Sequence, residues 1–216
     1  MITPYLSLFR LALLLCTSFV VLVGVVRVLR PADDDLRALL LPPTDCAAPC
    51  WQGLRPGETS ADDAEALLRA HPWVADINRT ATHLSWHWNG RQPNAIDGTA
   101  RGLIYLNSGR VGTLRIALTV PFGDIWALFK SPDDALLVRP VSRSSAYQIV
   151  DYAQAGIQVV SSLSCPVNPT VYWNGTTTLH LGEALLTEEL NSVPYDVFQQ
   201  GGWWRWLRTC RRAQGR

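Results

Sequence analysis

One charge-free apolar run, Leu11 to Val26, bounded by Arg10 and Arg27, limits this 216-residue chain more than any other feature. Only Cys16, Thr17, Ser18 and Gly24 interrupt it, so it reads as a hydrophobic helix set apart from a body of ordinary globular composition. Sixteen residues at the helical rise span about 24 Å, short of a hydrocarbon core of about 30 Å. Adding Val28 and Leu29, with Arg27 snorkelling, brings the segment close to full length. Residues 1–30 are therefore expected to form a single transmembrane anchor, with membrane lipid as its partner. A cleaved signal peptide and a buried core helix are the rival readings. Against the first, Val25-Val26-Arg27-Val28-Leu29-Arg30 offers no small-x-small cleavage site, and the leucines of Leu14-Leu15-Cys16 are too bulky for a lipoprotein box.

The side of the membrane is argued by two opposing signals. Arg10 faces Arg27, Arg30 and Arg37 across the run, which by the positive-inside rule keeps the body cytoplasmic. The cysteines point outside. Beyond Cys16 there are four, Cys46, Cys50, Cys165 and Cys210, an even number suited to two disulfides in an oxidising compartment. Three connectivities are open, and Cys46–Cys50 with Cys165–Cys210 is preferred. A zinc site would need metal-like spacing, and no Cys-x-x-Cys pair exists. The expected location is single-pass in a membrane, with the C-terminal domain extracytoplasmic.

Hydrophobic residues make up 48% of the chain and charged ones 17%, enough apolar material for a core and too little charge for a disordered chain. A net charge of +1 gives no electrostatic basis for binding nucleic acid. Residues 31–49, with the Asp33-Asp34-Asp35 cluster and Pro42-Pro43, read as a stalk. Pro56-Gly57 marks a turn, Thr59 or Ser60 caps a helix, and Ala64, Leu67, Leu68 and His71 form its apolar face until Pro72 ends it.

Strands follow. Leu84, Trp86 and Trp88 alternate with His83, Ser85 and His87. Gly102–Leu106 and Val111–Val120 flank the hairpin signal Asn107-Ser108-Gly109-Arg110. A second helix over Gly123–Pro132 echoes the first, with its proline sixty residues on. It leads to strands at Ser145–Tyr152, Ile157–Leu163, Val171–Trp173 and Thr177–Leu181. The expected fold class is α+β: the N-terminal transmembrane helix, then two helix-plus-antiparallel-meander repeats (50–121 and 122–182) sharing a sheet, with helices on one face. Residues 183–216 remain as a Trp/Arg-rich tail.

Cys50-Trp51-Gln52-Gly53-Leu54-Arg55-Pro56-Gly57-Glu58-Thr59 and the helix after it resemble a motif of uncharacterised bacterial exported or membrane-anchored proteins. The turn, the threonine and the helix ending in proline are similar to small outer-membrane assembly lipoproteins of BamE type. The tandem layout resembles the β-lactamase-inhibitor-protein-like fold. The architectural likeness spans roughly residues 50 to 181; as motif it covers Leu54–Leu68 and Gly123–Pro132. The resemblance implies a non-catalytic binding or assembly role and carries over no catalytic residue. The chain departs from the lipoproteins in lacking a lipid-attachment box.

A direct search for chemistry agrees. His83 and His87 share a strand face but stand roughly 13 Å apart, too far for one metal ion. His71 reads as a helix C-terminal residue and His180 as an outward strand residue. No nucleophile elbow, phosphate-binding loop or His-Glu-x-x-His helix is present. No catalytic, cofactor or metal site is expected. Trp203, Trp204, Arg205, Trp206 and Arg208 interleave aromatic and cationic side chains in the manner of a lipid–water boundary, so this tail is a candidate membrane-surface contact; the rival is that its tryptophans cover the end of the sheet. The chain is thus read as a membrane-anchored extracytoplasmic binding or assembly module without catalysis. The alternative is a cell-envelope hydrolase or carbohydrate-active protein, which requires two or more carboxylates, with Asp97, Asp124 and Asp151 as candidates, to converge in a cleft beside exposed tryptophan.

Overall fold

In the computed structural model the described residues are 3–29, 34–40, 46–129, 134–142, 145–152, 155–165, 168–182 and 193–194. They fall into two compact units, Met1–Arg37 and Ala38–Arg216. The first contains helix α1, Thr3–Leu29. Its described side chains, from Arg10 to Val25, are exposed.

This helix corrects the expected transmembrane anchor, and with it the single-pass membrane location with an extracytoplasmic domain. Among the described residues no helix is long and apolar enough to cross a membrane. The physical reason is the spacing of charge: α1 carries Arg10 and Arg27, and the sixteen residues between them reach only about 24 Å against the roughly 30 Å required. A seven-residue helix, α2 (Asp34–Leu40), lies within the segment read as a stalk.

The second unit is built on a sheet in which every strand pair is antiparallel. Helix α3 (Ala61–Ala70) precedes β1 (Val74–Arg79), β2 (His83–Trp88), β3 (Gly102–Asn107) and β4 (Arg110–Pro121). Helix α4 (Phe122–Phe129) precedes β5 (Asp134–Ser142), β6 (Ser145–Tyr152), β7 (Ile157–Ser164), the short helix α5 (Pro169–Trp173) and β8 (Thr176–Gly182). The two-residue β9 (Val193–Pro194) pairs with β5. The spatial order β1-β2-β3-β4-β8-β7-β6-β5-β9 makes two four-stranded meanders, β1 to β4 and β5 to β8, run inward and join along β4 and β8, with β9 outside β5. The class is α+β dominated by this sheet.

Local chemistry explains the elements. Ser60 caps α3: its Oγ accepts from the Asp63 amide and donates to the Asp63 carboxylate. Ala61, Ala64 and Leu68 bury the inner face of that helix, while Leu67, expected on it, is 40% exposed. Ser108 (φ 50°) and Gly109 (φ 76°) supply the two left-handed residues that a tight β3–β4 hairpin needs. The expected strand at Val171–Trp173 is instead α5, because Asn168 accepts from the Val171 amide and Pro169 opens the turn. Strands β1 and β5 were not expected: only Val74 and Ile77 of β1 are partly covered, and Pro140 interrupts β5.

Register places Leu84, Ile104, Leu114, Leu181, Ile157 and Tyr152 in one row across six strands, all buried. That face carries the core. Trp51 stacks on Trp86 with centroids 6.1 Å apart and on His71, the C-cap of α3, at 5.8 Å. Trp88 packs edge-on against both indoles. Gly102 stands directly opposite Trp86, and a Cβ there would meet the indole at 2.0 Å. Its lack of a side chain makes the room the ring occupies. In the second half Phe122, Trp126, Tyr172 and Trp173 form an aromatic group linking α4 to α5, and Phe129 reaches Tyr152.

Candidate functional site

The opposite sheet face carries a polar row. Register brings Leu103, Arg115, His180, Gln158 and Asp151 side by side from β3 through β4, β8 and β7 to β6. Alternation dictates this placement, since Leu179 and Leu181 turn to the core and His180 turns away from it. The sequence reading of His180 as an outward residue is right in parity and wrong in exposure. Only 8% of it is exposed, and Gln158 is 7% exposed.

Where this row meets the end of the β4–β8 seam lies a cavity of about 700 Å³. Asp151, Gln158 and His180 line it, together with Asn107, Ser108 and Arg110 of the β3–β4 hairpin. Pro49 and Pro56 line it from the segment preceding α3. That wall is held from several directions. Cys46 and Cys50 form a disulfide around Pro49. The Gly57 amide donates to the Val111 carbonyl at 2.7 Å, and Arg110 donates to the Glu58 carbonyl at 2.6 Å. Gly156, at φ 64°, lies so close to Pro49 that a Cβ would stand 2.6 Å from the proline ring.

The electrostatics of the cavity are those of neutral polar groups beside balanced charge. Burial pushes the His180 imidazole down to about 4, and the nearby Arg115 guanidinium pushes it the same way, so the ring is neutral at pH 7. Gln158 Nε2 donates to Asp151 Oδ1 at 3.4 Å. Gln158 Oε1 and His180 Nδ1 are buried without a hydrogen-bond partner.

Serine, histidine and aspartate thus line one cavity without forming a relay. His180 and Asp151 lie on strands separated by β7, roughly 10 Å apart at ordinary strand spacing. Ser108 Oγ donates to Asn107 Oδ1 at 3.3 Å. A nucleophile needs a hydrogen-bonded base that is itself oriented by a third group, and His180 Nδ1 has no such contact.

The other sequence candidates are dispersed. Of the three aspartates considered for a hydrolytic cleft, only Asp151 lines the cavity. Asp97 receives the Thr99 hydroxyl and amide, which hold its carboxyl below the usual range, and Asp124 sits in the first turn of α4. No tryptophan is among the lining residues described. His83 hydrogen-bonds Thr80, and exposed His87 pairs with Asp76 at 2.9 Å. Among the described residues no cluster of His, Cys, Asp or Glu could hold a metal ion.

Cys46 and Cys50 are bonded with Cα atoms 6.0 Å apart. Cys165 is also disulfide-bonded. Cys210, Trp203, Trp204, Arg205, Trp206 and Arg208 lie outside the described residues. Sequence reasoning missed Gln158 and the burial of His180. The one available signal was an amide between Ile157 and Val159 in an otherwise apolar run. No family model, curated protein or solved structure matches this chain.

Proposed function

We propose that this chain is a binding or assembly module that holds its partner without changing it chemically. The observation carrying this reading is the lining of the cavity: it brings together neutral polar side chains, Gln158 and a His180 uncharged at pH 7, while its serine, histidine and aspartate are not hydrogen-bonded to one another. Such groups recognise a ligand by hydrogen bonding. They make poor proton carriers, since a histidine near 4 is a weak base at neutral pH. The hydrolase alternative asked for two carboxylates beside exposed tryptophan, and the described lining contributes Asp151 alone.

The test is turnover by the full-length chain on p-nitrophenyl esters and p-nitrophenyl glycosides. The binding reading expects rates equal to buffer, for the wild type and for Asp151→Asn and His180→Gln alike. Turnover that both substitutions abolish would replace it with a hydrolase.

A further inference from the structure

We propose that residues 203–210 dock on the aromatic surface of α4 and α5, fastened there by a disulfide between Cys165 and Cys210. The occupant of that surface is a segment of this same chain, whatever the cavity binds.

Cys165, which directly follows β7, is disulfide-bonded. Of the five cysteines in the chain, Cys16 is free and Cys46 and Cys50 hold each other. A bond within the chain therefore leaves Cys210 alone as the partner of Cys165. Exchange with an external disulfide makes that bond: the two thiol hydrogens leave as protons, and the sulfurs of the oxidant take the two electrons. Bonded cysteines keep their Cα atoms about 6 Å apart, which sets residue 210 at the end of β7. Reach is no obstacle. β9 ends at Pro194, three strand positions or about 14 Å across the sheet from β7, and residues 195–209 can extend over about 50 Å.

The end of β7 lies beside α5. A Cβ on Gly175, just beyond that helix, would stand 2.9 Å from Leu163 Cδ2 on β7. Trp173 of α5 stacks on Phe122 with centroids 5.8 Å apart, and Trp126 meets it edge-on at 5.6 Å. Even so, Trp173 is 39% exposed. Ile125 through Phe129 of α4 are all apolar, more than one full turn, so this helix is apolar on its outer side as well as its inner. Helix α3, which opens the first half, turns Asp62, Asp63 and Arg69 to solvent instead. A helix that is apolar all round is one that other residues cover. Trp126 and Tyr172 each engage a further group besides the rings of this cluster. Trp203, Trp204 and Trp206 precede Cys210 by a few residues. The staple confines their indoles to this end of the sheet, where rings of the same kind offer them stacking and edge-on contacts.

The test uses the oxidised full-length chain. Non-reducing digestion and mass spectrometry should recover Cys165 and Cys210 as one linked pair, from protein that runs as a monomer on a non-reducing gel. Nuclear Overhauser contacts should join the indole of Trp126 or Trp173 to that of Trp203, Trp204 or Trp206. Replacing those last three tryptophans together by alanine, with Cys210 kept, should speed amide exchange in α4 and α5 at least tenfold and leave α3 within twofold. Both wild-type readouts stand if the variant fails to fold. A bond between two chains, linkage of either cysteine elsewhere, absence of the indole contacts, or unchanged exchange in α4 and α5 overturns the proposal. So does binding to vesicles of phosphatidylcholine and phosphatidylglycerol that the wild type shows and the triple variant loses, since the same indoles would then lie in lipid. None of these outcomes touches the non-catalytic reading, which only turnover removes.

Discussion

The two halves of the sheet share a topology and differ in what they bury. On the core face β2 to β4 present Leu84, Trp86, Trp88, Ile104, Leu114, Ile116 and Leu118, closed by Trp51. The corresponding layer of β6 to β8 carries Gln148, Ser161 and Thr177 in one cross-strand row, and Gln158 and His180 are buried on the other face. Thr177 donates to the Val120 carbonyl at 2.8 Å, whereas both polar atoms of Gln148 and the Ser161 hydroxyl lack partners. The indole nitrogens of Trp51 and Trp86 are unpaired as well, so the first half is not free of such groups. Its rings nonetheless bring large apolar areas that offset one unpaired N–H each. The difference is one of content: the first half buries indoles, and the second buries neutral polar side chains, two of which, Gln158 and His180, line the cavity.

The largest expected effect strikes the indole-filled half. Gly102→Ala places a methyl group where Trp86 lies and should cost about 3 kcal/mol in urea denaturation. A loss near zero would mean that this half yields as easily as the other, and the contrast would disappear.

Next comes pH, acting through the polar half. His180 titrates near 4 in the folded chain and near 6.5 when unfolded, so the unfolded chain takes the proton first. The stability contributed by keeping this ring neutral is therefore complete above pH 6.5 and declines as pH falls towards 4, by up to about 3 kcal/mol. Burial lowers His71 too, which adds a slope of the same sign from the first half. Comparing melting temperatures of wild type and His180→Gln across that window separates the two. An unchanged slope in the variant would assign the effect elsewhere.

Replacing Cys46 and Cys50 together by serine should lower stability by about 2 kcal/mol, as expected for a short closed loop. It should also loosen Pro49 against Gly156, read as faster amide exchange at Gly156. The smallest effect runs the other way. Gln148→Leu removes two unpartnered polar atoms from the core and should stabilise the chain by about 1 kcal/mol. A destabilisation of similar size would show that Gln148 is satisfied by bound water.

Much of the sheet was legible. The alternation at Leu84-Trp86-Trp88 and Leu114-Ile116-Leu118 marks strands because side chains reverse at every residue, and Asn107-Ser108-Gly109-Arg110 marks their turn. What escaped had a specific cause in each case. Partly exposed β1 and proline-containing β5 lack the apolar rhythm, and the β-branched start of Val171–Trp173 suggests a strand where the Asn168 cap makes a helix. The apolar N-terminal run was recognised as a helix, but its length between Arg10 and Arg27 falls short of the anchor inferred from it.

The chain's own order of residues determines which way each side chain turns from its strand, where the hairpin reverses and where α3 begins, because these depend on neighbours a few positions away. Whether a turned-out side chain is wet or buried depends on segments distant in sequence. His180 and Gln158 become cavity walls only because β8 and β7 pair, and because Pro49 and Pro56 are carried over the seam from more than a hundred residues earlier. That decision belongs to the tertiary structure, since desolvation is set by what packs against a group and not by the residues beside it in the chain.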